Sequence, residues 1–137
     1  MTVTEEEPQV SDFGGLRILW DQRVLRPRSW TTAQSHWASA VATSCPDGPL
    51  LELFCGAGQI GLLAAVSTGR PLVQVDSDPV AAAYARRNAA AAGIVADVRV
   101  ASVEDALGAE EQAALVVLDP PWVPSVQVAD FPEDPVT

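Results

Sequence analysis

Apolar residues along this chain come in short blocks separated by turn-forming residues. Leu16, Ile18 and Trp20 alternate with other positions and predict a strand. Asp21-Gln22 supplies a turn and Val24-Leu25 a return, so residues 15–25 read as a hairpin that Pro27 ends. Thr31 or Thr32 can cap a helix over roughly 32–44, with Trp37, Ala40 and Val41 on one face. Cys45-Pro46-Asp47-Gly48-Pro49 is a turn-rich loop. From Leu50 onward the pattern becomes regular. Strands are predicted over 50–54, 71–75, 95–100 and 114–118. Between them lie helices over 59–67, stopped by Gly69, and 79–92, stopped by Gly93, then a short acidic helix near 103–111. Asp78 suits the cap of the second of these helices and Pro79 its first position. This alternation predicts an α/β fold, a Rossmann-like parallel sheet with helices on both faces. The strand 114–118 is continuously apolar, as in a strand buried on both faces.

The division that follows is an acidic disordered tail over 1–12, a hairpin and helix over 13–46, and an α/β domain over 47–137. The 137 residues carry 18 acids against 8 bases, a formal charge of −10, which repels a phosphate backbone unless the bases cluster. Every base is arginine, and Arg17, Arg23, Arg26 and Arg28 lie close together in sequence, as a solvated hairpin or a substrate-facing patch. Cys45 and Cys55 have no metal or disulfide spacing and read as reduced thiols of a cytoplasmic protein. The lone His36 has no second ligand-type residue beside it, so no metal is expected. No apolar run approaches the roughly 20 residues of a membrane span.

Chemistry concentrates at the strand ends, where ligands sit in such sheets. Gly56, Gly58 and Gly61 form G-x-G-x-x-G directly after the first strand of the sheet. Glycine there removes a side chain that would block a close ligand, and a Gly58→Val change is expected to abolish binding while sparing the fold. Asp76 follows Gly56 by 20 residues and ends the next strand, where a carboxylate accepts the hydrogen bonds of a ribose diol. A nicotinamide-dependent oxidoreductase fits equally well up to this point. Glu52, inside the strand, separates the readings, because a carboxylate suits a ligand with a cationic end. So does Asp119-Pro120-Pro121-Trp122. Two prolines stiffen the backbone. The Asp119 carboxylate and the Pro120 carbonyl become acceptors, and Trp122 offers a flat wall, an arrangement suited to an amino group on a planar system.

The runs Glu52-Leu53-Phe54-Cys55-Gly56-Ala57-Gly58, Val75-Asp76-Ser77-Asp78-Pro79 and Leu118-Asp119-Pro120-Pro121-Trp122 resemble those of class I S-adenosylmethionine-dependent methyltransferases. The segment Val24 to Thr31 is similar to one in the release-factor glutamine methyltransferase group, and the likeness spans roughly 15–134. The resemblance implies S-adenosylmethionine as cofactor. It places Glu52, Phe54, Cys55, Gly56, Ala57 and Gly58 around its methionine part, Asp76 on its ribose, and Ser77, Ser102 and Val103 near its adenine. It makes Asp119, Pro120, Pro121 and Trp122 the catalytic run, with Arg28 and Thr31 facing the acceptor. An acid is usual where Ser102 stands. Asp119 stands where the glutamine-modifying enzymes have asparagine, and an acceptor-only carboxylate favours an amine or a nucleobase amino group over an amide. The uridine carbon-methylating relatives use a late cysteine, and none follows Cys55.

The family's complete domain has seven strands and four are visible here. The resemblance therefore implies a C-terminally truncated chain, a remnant that binds cofactor without turnover or a half-domain needing a partner. Its open sheet edge would invite self-association. The expected acceptor is an amino-bearing protein, nucleobase or small molecule.

Overall fold

The computed structural model describes residues 7–120. An antiparallel hairpin, β1 (Gln9–Phe13) and β2 (Leu16–Trp20), precedes helix α1 (Thr32–Ala42). Then come β3 (Leu50–Leu53), α2 (Gln59–Thr68), β4 (Leu72–Asp76), α3 (Pro79–Ala92), β5 (Ala96–Val100) and β6 (Leu115–Leu118). The last four strands form a parallel sheet in the order β5-β4-β3-β6. Only Phe54 among the described non-glycine residues has positive φ, at 55°, where β3 breaks into the loop.

The topology explains where the helices lie. The chain steps in one direction from β3 to β4 to β5, and right-handed crossovers put α2 and α3 on the same face. There Leu50, Leu72 and Val117 pack with Ile60, Leu62, Leu63, Tyr84 and Ala89. The return to β6, beyond β3, carries the connection to the opposite face, over Leu51, Val73 and Val75. Among the described residues that face has no α-helix; a 3-10 turn, Val103–Asp105, stands where the short acidic helix was expected. Strand order reverses between β3 and β6, so their C-terminal ends define the site.

Three expectations are corrected. The hairpin begins at Gln9, so residues 9–12 are strand rather than disordered tail. Its turn is Gly14-Gly15, both at positive φ (59° and 95°), the geometry of a two-residue turn matched to strand twist. Asp21 does start a turn, closed by Val24 N–H to Asp21 O (3.1 Å), but no strand returns from it. Second, α1 buries Ser35, Ala38 and Ala42, leaving Trp37 and Val41 exposed. These small residues let α1 approach α2 closely, and Ser35 Oγ donates to Ile60 O at 2.7 Å. Third, the described residues do not cover β6 on both faces: Val116 and Leu118 are 46% and 43% exposed.

Two buried polar residues fasten the hairpin to the domain. The Asp21 carboxylate accepts from Arg23 Nη2 (2.7 Å) and Tyr84 Oη (2.5 Å), and these donors hold its pKa well below the usual range despite burial. Asn88, in α3, accepts from Leu19 N–H (2.8 Å) and donates to Leu19 O (2.9 Å) and Ala57 O (2.9 Å).

Candidate functional site

A narrow cleft of about 40 Å³ lies at the reversal point. The end of β3 and the loop after it supply Glu52, Phe54, Cys55, Gly56, Ala57, Gln59 and Ile60. Asp119 enters from the end of β6, and Leu25, Arg26, Arg28 and Thr31 from the segment after the hairpin. Thus the structure brings together residues of the expected catalytic, cofactor and acceptor groups. Pro120 follows Asp119 and is half-buried, while Pro121 and Trp122 lie outside the described residues.

Glu52 sits on the central strand with 3% exposure. Its Oε1 accepts from Gln74 Nε2 at 2.8 Å, and Gly61 N–H also donates to the carboxylate. Burial removes water that would solvate its charge, and this outweighs both donors; nearby Asp76 and Asp119 add repulsion, and its pKa is pushed up to about 8. The neighbouring Cys55 thiol is also raised, first by burial and then by the acids around it. It is therefore a neutral packing residue, not a nucleophile. Gly61 follows from Glu52: a Cβ at 61 would lie 2.4 Å from Glu52 Oε1.

The glycines divide their work differently from expectation. A Cβ at Gly56 (φ +57°) would meet nothing within 4 Å, so this residue leaves open the space above the loop. A Cβ at Gly58 (φ +90°) would strike Gln74 Nε2 at 2.8 Å and Ala85 Cβ at 3.2 Å. Gly58 is therefore needed for packing against β4 and α3, and its side-chain position points away from ligand space. Gln74 Nε2 also donates to Gly58 O at 3.0 Å. With Asn88 on Ala57 O, two buried amides hold successive loop carbonyls.

Asp76 is tied to the same loop. Its Oδ2 accepts from Gly56 N–H (2.9 Å) and its Oδ1 from Asp78 N–H (2.9 Å). Asp78 Oδ1 caps α3 through Val80 N–H at 2.9 Å. A carboxylate has about four acceptor positions, so Asp76 keeps capacity for a diol. Ser77, Ser102 and Val103 are exposed beyond β4 and β5, outside the cleft. Ser102 Oγ donates to Asp105 Oδ2 at 3.2 Å.

The cleft suits the cationic end of a ligand. Glu52 and Asp119 offer carboxyl oxygens there, and Gln59 Oε1 is a buried acceptor without a partner among the described residues. A volume of about 40 Å³ is more than the roughly 10–15 Å³ that one water needs, so an ammonium-sized group fits. A larger ligand would continue over Gly56 toward Asp76 and the exposed ends of β4 and β5.

The chain matches the family model described as the methyltransferase small domain over residues 35–131. No curated protein matches it. Among solved structures it is similar to the tRNA (uracil-54, C5)-methyltransferase of Pyrococcus abyssi, bound to S-adenosyl-L-homocysteine, at 21% identity and TM-score 0.66, covering 85% of this chain and 29% of that one. It is similar to the 16S rRNA N2 G1207 methyltransferase of T. thermophilus, bound to AdoMet and guanosine, at 18% identity and TM-score 0.66, covering 85% and 33%. It is similar to an RNA methyltransferase of Salinibacter ruber, bound to S-adenosyl-L-homocysteine, at 26% identity and TM-score 0.57, covering 80% and 67%. The chain thus spans about a third of the length of the first two. No helix among the described residues is long and apolar enough to cross a membrane.

Proposed function

We propose, from the premise that this chain belongs to the methyltransferase small domain family, that it is an S-adenosylmethionine-dependent methyltransferase acting on an amino nitrogen. The carrying observation is the pairing of Glu52 and Asp119 across one cleft beside the open position at Gly56. The Salinibacter ruber, Pyrococcus abyssi and T. thermophilus structures, each holding the cofactor or its product, support the choice of S-adenosylmethionine.

The residues present fit that cofactor. Glu52, releasing its proton as the cation enters, would hold the amino-acid ammonium with Gln59 Oε1, Gly56 leaves room above the loop, and Asp76 would accept from the ribose. The cofactor supplies a methyl group already activated on a sulfonium. The protein's part is then mostly alignment and hydrogen bonding. Asp119 accepts an N–H of the incoming amine, which orients the nitrogen lone pair. Transfer would break the sulfur–methyl bond, leaving a neutral thioether, and the methylated nitrogen would be more acidic, so that Asp119 or solvent would take the released proton. The fixed φ of Pro120 holds the Asp119 segment in place.

The test is transfer of labelled methyl groups into nucleic acid, protein and small-amine pools, with Asp119→Ala beside the native chain. The variant should keep cofactor affinity and lose transfer by at least about a hundredfold, as for loss of a key electrostatic group. Unchanged turnover would refute the role of Asp119. A second reading, a half-domain that turns over only with a partner at the β6 edge, is favoured by the exposure of Val116 and Leu118. It predicts cofactor binding, self-association and no transfer by the isolated chain.

A further inference from the structure

At every other described position with positive φ the chain uses glycine; Phe54, at 55°, is the exception. For an L-residue this left-handed conformation brings Cβ against the following carbonyl oxygen, and a bulky side chain rarely adopts it. The neighbours hold Phe54 there. Leu53 is paired on both sides, with Val75 of β4 and Leu118 of β6. Cys55 N–H donates to Val75 O at 3.1 Å, and Cys55 O accepts from Gly58 N–H at 2.8 Å. Gly56 N–H is held by Asp76 Oδ2 at 2.9 Å. Backbone strain persists only where its surroundings over-determine it, and it gathers at functional sites.

Burial does not account for Phe54. It is 41% exposed, whereas Cys55 beside it is 3% exposed. Glycine would meet the backbone demand without the steric penalty, as Gly56 and Gly58 do at 57° and 90°. What phenylalanine adds is an aromatic ring on the cleft shared by Glu52 and Asp119. The described arginine–aromatic stacks engage Trp20, Trp30 and Tyr84, so the Phe54 ring has no cation over it among the described residues. The cleft itself has room for an ammonium-sized group and little more. The next atoms of a ligand anchored by Glu52 must therefore lie at the mouth, with Phe54 beside them and open space over Gly56. In S-adenosylmethionine a short alkyl chain joins the ammonium to the sulfonium, which brings a second cation to that place.

We propose that the Phe54 ring holds the sulfonium of the methyl donor and so lets the protein select the charged donor over its neutral product. The proposal rests on the methyl-transfer reading and assigns that site a specificity-determining residue. The face of an aromatic ring is electron-rich and attracts a ligand cation, most of all one clothed in carbon and weakly hydrated. Transfer of the methyl to nitrogen leaves the electron pair of the broken bond on sulfur, as a neutral thioether. The positive charge passes to the methylated nitrogen, which sheds a proton to Asp119 or solvent. The attraction of the ring therefore acts on the donor and vanishes with the product, which favours product release.

The experiment is calorimetric titration of the full chain and Phe54→Leu with S-adenosylmethionine and with S-adenosylhomocysteine, beside urea unfolding of Phe54→Gly and Phe54→Ala. Leucine keeps apolar bulk and the same backbone strain but has no aromatic face. The preference for S-adenosylmethionine over S-adenosylhomocysteine should fall about three- to tenfold in Phe54→Leu, through weaker binding of the donor. Phe54→Gly should unfold at higher urea than Phe54→Ala, because only alanine keeps the left-handed penalty. An unchanged preference, or an equal loss of affinity for both ligands, would overturn the proposal and leave the cofactor reading standing. A higher midpoint for Phe54→Ala would show an unstrained backbone and would also overturn it. A native chain that binds neither ligand would refute the methyl-transfer reading itself, and this inference with it.

Discussion

Replacing Glu52 with glutamine should make the protein more stable in alkaline solution, although the residue belongs to the site. The folded state keeps the Glu52 proton up to about pH 8, whereas the ordinary value is 4.5. Between those values the folded chain binds one proton more than the unfolded chain, so this group's contribution to stability falls as pH rises. Each unit is worth about 1.4 kcal/mol, so from pH 5 to pH 8 the loss approaches roughly 4 kcal/mol. Glutamine has nearly the same shape, can accept from Gly61 N–H, and has no proton to lose. Asp21 does not interfere, because its lowered pKa removes stability only as pH falls into the acid range. Urea unfolding of native protein and Glu52→Gln at pH 5, 6, 7 and 8 should therefore give curves that diverge upward in favour of the variant. Parallel pH profiles would refute a buried, proton-holding Glu52. The same variant should bind S-adenosylmethionine more weakly, because glutamine, unlike Glu52, cannot release a proton and become the carboxylate that an ammonium favours.

The two loop glycines should respond in opposite ways. Gly56→Ala carries only the strain of a left-handed residue, about 1–2 kcal/mol, and should lose cofactor affinity with the fold retained. Gly58→Ala adds a clash with Gln74 and Ala85 and should lower the unfolding midpoint further; the reverse order in thermal unfolding would contradict the assignment. Asn88→Ala removes the bonds to Leu19 and Ala57 and should cost roughly 3 kcal/mol in urea unfolding. A loss under 0.5 kcal/mol would show that the hairpin is not anchored there.

The sheet was legible because its strands are apolar blocks and its helices have clean ends: Asp78 and Pro79 open α3, and Gly93 closes it. The cleft was legible in part, since Glu52 and Asp119 are carboxylates in apolar strands or at their ends, and charge in such places implies a purpose. Arg28 and Thr31 reach the same cleft through a segment that sequence periodicity does not position. What stayed hidden depends on direction in space. Spacing alone makes Gly56 and Gly58 equivalent, yet one faces ligand space and the other a helix. Gln74 and Asn88 fasten the loop carbonyls, and their signal was available: each is an uncharged amide in an otherwise apolar or alanine-rich element. The hairpin turn was misplaced because Asp21 competes with Gly14-Gly15 as a turn former, and the burial that decides between them is tertiary.

The central claim is that the loop after β3, with Glu52 behind it, binds S-adenosylmethionine. Calorimetric titration of the full chain with S-adenosylmethionine, with NAD as comparison, tests it most directly. Saturable one-to-one binding of S-adenosylmethionine, weakened by Gly56→Ala and absent with NAD, is the predicted result. No heat with S-adenosylmethionine, or tighter binding of NAD, would contradict it.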